Sequence, residues 1–258
     1  MINIGCFGHI GDIEAVGAAG FDSIELDLQE ICALTQEQLR AAADRLKASD
    51  LSVYSVSWIL PMELDLTLPG FDRRRWLNFL SEGAERCTQL GASMWTFGCG
   101  KGRSLKPGRS DSLESQRERV NSFIYDVSDI CLRHGMKLAL EPLGSANSNY
   151  IQTLAEAAAV LDSKDHPALK IMCDLRHMCA AGDPIENITD HGSDIIHCHI
   201  DYPLGTRRLF PAADDGFDYM PYLREVRKLS CGQLGIEAIH GRMEDAAASL
   251  RYIRSLLA

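Results

Sequence analysis

Short apolar runs recur eight times along the chain, and amphipathic stretches separate them. The runs at 2–7, 22–28, 51–60, 93–98, 137–142, 170–175, 194–200 and 233–239 hold several β-branched residues, as strands buried on both faces do. The stretches between them carry helix signals. Thr35 precedes Glu37, Gln38 and Leu39 and opens a helix expected to run to about Lys47. Ser112 opens a long one ending near His134, where Gly135 is a natural C-cap. Thr153 with Glu156 three residues on reads as a capping box, and Asp183-Pro184 as a helix start.

Eight strand–helix units without a Gly/Ser linker predict one α/β domain over residues 1–258, a closed (β/α)8 or TIM barrel. An open doubly wound sheet shares the alternation. The first turn, CFGHIGD, lacks the GxGxxG fingerprint of a dinucleotide fold, and the count of eight favours closure.

Composition narrows the partners. A net charge of −10 argues against nucleic acid and anionic membrane surfaces, which would repel the chain. No stretch approaches the roughly 18 apolar residues of a membrane span. The start, MINIGCFGHIGD, has no basic segment followed by a long apolar run, so no signal peptide is expected. Nine cysteines contain no CxxC pair; Cys6, Cys99, Cys173 and Cys198 lie in or beside strand runs, where thiols act as small buried hydrophobes. These features predict a cytoplasmic protein whose partner is a small molecule or another copy of the chain.

Four potential metal ligands end four consecutive strands: Glu141 in KLALEPL, Asp174 in KIMCDLRH, His199 in DIIHCHID and Glu237 in QLGIEAIH. A barrel gathers its C-terminal strand ends at one mouth, so these residues are expected to meet. Three carboxylates and an imidazole suit Mn²⁺ best, with Mg²⁺, Co²⁺, Fe²⁺ or Zn²⁺ as alternatives. Four protein ligands on an ion preferring six leave two places for substrate or water. Each residue has a plainer reading: Glu141 as a solvated loop residue, Asp174 as a helix cap, either histidine as a core group. His197 and His199 share a face, so position along the strand must choose between them.

With the motifs LALEPLGSANSNYIQT, KIMCDLRHM, HCHIDYPLGTRR and GIEAIH, the chain resembles the sugar isomerase/epimerase superfamily of xylose isomerase-like TIM barrels. It is most similar to the ketose 3-epimerase group typified by D-tagatose 3-epimerase. The resemblance implies a divalent metal, commonly manganese, on Glu141, Asp174, His199 and Glu237, and selects His199 over His197. It implies substrate contacts from His177 and from Arg207 or Arg208. It also implies that Glu141 and Glu237 exchange a proton with a ketose or related keto-polyol through an enediolate. Family epimerases carry a second glutamate six positions after the first; here that residue is Asn147, which can hydrogen-bond a hydroxyl but not accept a proton. Relatives with similar centres isomerise aldoses, dehydrate inososes or cleave C-glycosides, so a lyase or a non-catalytic sugar-binding barrel are the alternatives. Dimers are common in the family, but no patch in this sequence demands one. Apurinic endonucleases of the same superfamily need extra metal ligands that this chain lacks.

Weaker features remain. GCGKGRS, with Lys101 and Arg103, reads as a flexible lid or a phosphate cradle. Trp58, Glu25 and His9 stand near other strand ends as candidate pocket residues, Trp58 suiting a sugar ring. Arg73, Arg74 and Arg75 begin a helix and are expected to form a solvated face.

Overall fold

A computed structural model describes residues 2–258. Eight parallel strands close into a barrel in chain order. They are β1 (Asn3–Phe7), β2 (Ser23–Asp27), β3 (Ser52–Ser57), β4 (Met94–Phe97), β5 (Lys137–Leu140), β6 (Leu169–Asp174), β7 (Ile195–Ile200) and β8 (Gln233–Ile236). The last strand pairs with the first, from Asn3 beside Gln233 to Cys6 beside Ile236. All eight expected strands are present, and each ends at or inside its expected bounds.

The expected helix starts are mostly present. Thr35 and Gln38 cap the helix Gln36–Ala48 reciprocally, backbone N–H to side-chain oxygen at 2.7 and 3.2 Å. Ser112 caps Leu113–Arg133, after which Gly135 takes the left-handed φ of 69°. Thr153 caps Leu154–Ser163. Asp183-Pro184 opens no regular helix; the nearest, Asn187–Asp190, is one turn long. Asp183 instead accepts the Leu154 N–H at 2.8 Å and the Asn187 amide at 2.7 Å, spending its caps on neighbours. Arg74 and Arg75 are exposed as expected, whereas Arg73 pairs with Asp126 across to the next long helix.

The main core lies between barrel and helices. Inside the barrel, a small cluster of Met94, Ala139 and Met172 fills the lower layer. Two residues further along β5 and β6 the same inward face carries Glu141 and Asp174, because side chains alternate with period two. All nine cysteines are free thiols; Cys6, Cys173 and Cys198 are buried as expected, while Cys99 is partly exposed. Among the described residues, no helix is long and apolar enough to cross a membrane.

The glycine-rich loop is neither lid nor cradle along its whole length. It forms a short helix, Gly100–Arg103, and Arg103 is fully buried. Its guanidinium donates to the carbonyls of Tyr150 at 3.1 Å, Glu141 at 2.6 Å and Ile151 at 2.9 Å. Burial lowers it to about 10, so it stays charged at neutral pH. Arg103→Met would strand these buried carbonyls, at about 1–3 kcal/mol for a group left unsatisfied. A loss of about 3 kcal/mol, read by urea unfolding, is the expected result.

Candidate active site

Glu141, Asp174, His199 and Glu237 meet at the C-terminal mouth, with one donor atom from each within 4.8 Å of all the others. All four are buried. His199 Nδ1 lies 3.2 Å from Glu237 Oε2, 3.9 Å from Asp174 Oδ2 and 4.0 Å from Glu141 Oε1. Yet His199 Nδ1 and Glu141 Oε1 have no aligned hydrogen-bond partner among the described residues, and Glu237 Oε2 is met by the Arg208 guanidinium. Buried polar atoms are normally paired, so two unsatisfied ones beside further carboxylates mark a place for a ligand.

The donor set fits a divalent cation. Donors on opposite sides of an ion with bonds of about 2.1 Å stand roughly 4.2 Å apart, within the spread seen here. A guanidinium already exploits the negative field. Arg208 Nη1 lies 2.5 Å from Glu237 Oε2 and 3.1 Å from Asp174 Oδ2, and Nη2 is 2.9 Å from His177 Nε2. Arg207, the other candidate, is exposed and donates to the His240 carbonyl. Arg208 is therefore the arginine inside the site.

The charges split the acidic groups. Burial, with Glu237 and Asp174 nearby, pushes Glu141 up to about 8. Burial also works to raise Glu237, but Arg208 and His199 outweigh it and hold that carboxyl below its usual range. Asp174 is likewise lowered against its burial, by His177, Arg208 and His199. Burial drives His177 down to about 4, so its ring is neutral at pH 7. Arginine can only donate, so His177 Nε2 accepts and Nδ1 carries the proton.

Backbone choices make room for this cluster. A Cβ on Gly98, just past β4, would stand 2.6 Å from Glu141 Oε2. Gly98→Ala is expected to push that carboxylate aside and weaken divalent-cation binding by tenfold or more with little change in unfolding temperature; titration calorimetry checks it.

The cluster opens onto a cavity of about 270 Å³. Its polar side includes Glu141, His177, His199, Arg208 and Glu237. Trp58, Leu60, Met62, Leu143 and Ile239 form an apolar wall. Trp58 takes a left-handed φ of 51° just beyond β3 and stacks on Phe7, ring centroids 5.5 Å apart. Asn147 and Lys101 sit exposed at the rim. Of the weaker candidates, His9 is exposed beside Glu30 rather than in the cavity, and Glu25 is buried inside the barrel.

Two residues escaped sequence reading. Asp201 is fully buried, and its Oδ2 accepts from Arg176 Nε at 2.7 Å. Burial and nearby Asp174 push it up to about 8. Arg176 also donates to the carbonyls of Tyr202, Gly205 and Arg207, strapping the loop that carries Arg208. The signal available was adjacency: Arg176 precedes His177, and Asp201 ends HCHID.

A closed β/α barrel with buried carboxylates and an imidazole converging at its C-terminal mouth defines the general class, a TIM barrel with an enzyme-like site. The chain belongs to the xylose isomerase-like TIM barrel family, whose model matches residues 13–256. The fold is shared with 3-keto-D-glucoside 4-epimerase from E. coli, at TM-score 0.82 and 17% identity, covering 99% of this chain and 100% of that one. D-psicose 3-epimerase from Clostridium cellulolyticum H10, solved with D-tagatose, gives TM-score 0.85 and 17% identity, covering 99% of each chain. A D-tagatose 3-epimerase-like protein gives 0.82 and 15%, covering 99% of this chain and 97% of that one. No curated protein matches the chain.

Proposed function

We propose that the protein is a divalent-metal-dependent isomerase or epimerase that enolises a ketose or related keto-polyol. The carrying observation is the placement of Glu141 and Glu237, with Asp174 and His199, around unsatisfied donor atoms at the head of the cavity. These four residues would hold the ion, Mn²⁺ by donor type with Mg²⁺, Co²⁺, Fe²⁺ or Zn²⁺ as substitutes. A bound cation would supply Lewis acidity toward a carbonyl and its neighbouring hydroxyl.

The chain's own groups do the rest. Glu141 follows β5 and Glu237 follows β8, so the two carboxyls reach the cavity from different strands. One takes a proton from the substrate carbon and the other returns one, inverting the centre. Arg208 provides positive charge for the oxygen that gains charge as the proton leaves, and His177 holds the guanidinium by its Nε2. Trp58, Leu60 and Ile239 keep bulk water from that side. The epimerase names among the solved structures sharing this fold support a sugar carbonyl substrate.

Asn147 supports a second reading. It stands at the cavity rim where the resembling epimerases have a glutamate, and it cannot transfer a proton. A lyase would use the same enolising step, and the proton taken from carbon by one glutamate would pass to the leaving hydroxyl of an inosose, lost as water, or to the leaving aglycone of a keto-glycoside.

A screen of ketoses, inososes and 3-keto-glycosides in D₂O with Mn²⁺ tests both readings. Exchange at one substrate carbon with an epimeric product supports the first; exchange with elimination supports the second. No exchange on any carbonyl substrate, with the cation bound, would leave a sugar-binding barrel.

A further inference from the structure

Beneath the mouth, a second polar layer crosses the barrel. Glu25 on β2 is 3% exposed, and its Oε2 accepts from His197 Nε2 and His199 Nε2, each at 3.1 Å. The Ser55 hydroxyl donates to the same oxygen. We infer that Glu25 is a positioning residue for His199, fixing the ring orientation and the tautomer that leaves Nδ1 free to hold a cation.

Geometry and hydrogen-bond chemistry carry this. An imidazole whose Nε2–H is held by a carboxylate has only Nδ1 left to offer a cation. That atom is the one facing Glu237, Asp174 and Glu141, and it has no hydrogen-bond partner among the described residues. A carboxylate at position 25 can only accept, so both rings must present N–H to it. An amide could accept from one ring and donate to the other, which would let His199 turn a proton toward the carboxylates. Packing removes the remaining freedom. His197 meets His199 edge to face, centroids 4.7 Å apart at 79°. On the other side, a Cβ on Gly235 would be 3.0 Å from His199 Cδ2, so glycine lets the ring lie flat against β8. Carboxylates placed behind ligand imidazoles commonly act this way, and their loss typically costs 10–100-fold in metal affinity.

The inference rests on the cation site proposed above, and the experiment separates the two. Mn²⁺ affinity would be measured by chelator competition for wild type, Glu25→Gln and Ser55→Ala, with unfolding temperature in EDTA as the check on folding. The expected result is a 10–100-fold loss for Glu25→Gln and less than a twofold change for Ser55→Ala, which leaves both histidine contacts in place. In Zn²⁺-loaded wild type, ¹⁵N spectra should show His199 bound through Nδ1 with its proton on Nε2. Should Glu25→Gln not fold, Glu25→Asp, too short to reach both rings, should show the loss instead. Wild-type affinity in a folded Gln or Asp variant, or His199 bound through Nε2, overturns the positioning role alone. Failure of wild type to bind any divalent cation overturns the site itself.

Discussion

Glu237→Gln is expected to lower turnover by about 10³-fold, within the range that general acid–base catalysis contributes. The substitution keeps the size of a buried side chain but removes the charge facing Arg208 and His199. It thereby removes both a proton acceptor and an anionic ligand. Single-turnover deuterium exchange on the substrate found by screening, at saturating Mn²⁺, distinguishes the two losses. If the cation alone were at fault, high Mn²⁺ would restore most of the rate. Persistent loss with the site filled places Glu237 in proton transfer. A variant retaining more than a tenth of wild-type exchange would remove Glu237 from that role.

Cation uptake by the metal-free protein at pH 7 is expected to release about two protons, with affinity rising more than tenfold per pH unit until about pH 8. One comes from Glu141, pushed up to about 8 by burial and by two neighbouring carboxylates. The other comes from the His199 ring, held against its burial well above its usual value by Glu25 and Glu237. Each must give up its proton to become a ligand. The stability sign is opposite to that of an ordinary carboxylate. A raised carboxyl binds more protons folded than unfolded between about 4.5 and 8. Its contribution is therefore fully present at low pH and lost as pH rises through 8, and Asp201 acts in the same sense. Thermal melts in EDTA should fall across that window, and saturating Mn²⁺ should flatten the fall. Calorimetry in buffers of different ionisation enthalpy counts the protons. A count near one would mean that Glu141 is already ionised without the ion.

The barrel and the four clustered residues were legible because period and position suffice for them. Eight apolar runs in alternation with helices leave few topologies, and a residue at a strand's end must stand at the barrel mouth. His199 could be preferred to His197 only through family resemblance. In the structure the two differ by one layer of the barrel, a depth that residue identity does not encode. Buried charge was the blind spot. Arg103 sits in a run of glycines that reads as exposed loop, yet it is swallowed whole because three carbonyls from two neighbouring segments need a donor. Glu25 looked like one more polar strand end; its partners lie more than 170 residues away. Arg176 and Asp201 were missed for the same reason, since long-range ion pairs leave no local spacing. Asp183-Pro184 erred the other way, its carboxylate being taken by the Leu154 N–H and the Asn187 side chain instead of by backbone N–H groups of a following first turn.

The strap made by Arg176 has a consequence for how this barrel can change. The loop after β7 is closed at its base, Tyr202 N–H to Leu209 carbonyl at 2.9 Å, and Arg176 grips carbonyls on both limbs. Leu204, Gly205 and Thr206 form an exposed tip, of which Arg176 holds only the Gly205 carbonyl. Residues added or removed at the tip can cost the Gly205 contact yet need not shift Arg208, because the contacts to Tyr202 and Arg207 and the Tyr202–Leu209 closure lie below the point of variation. The loop is thus a socket for diversification: new length at 204–206 can reshape what stands over the cavity while the charge beneath stays in register.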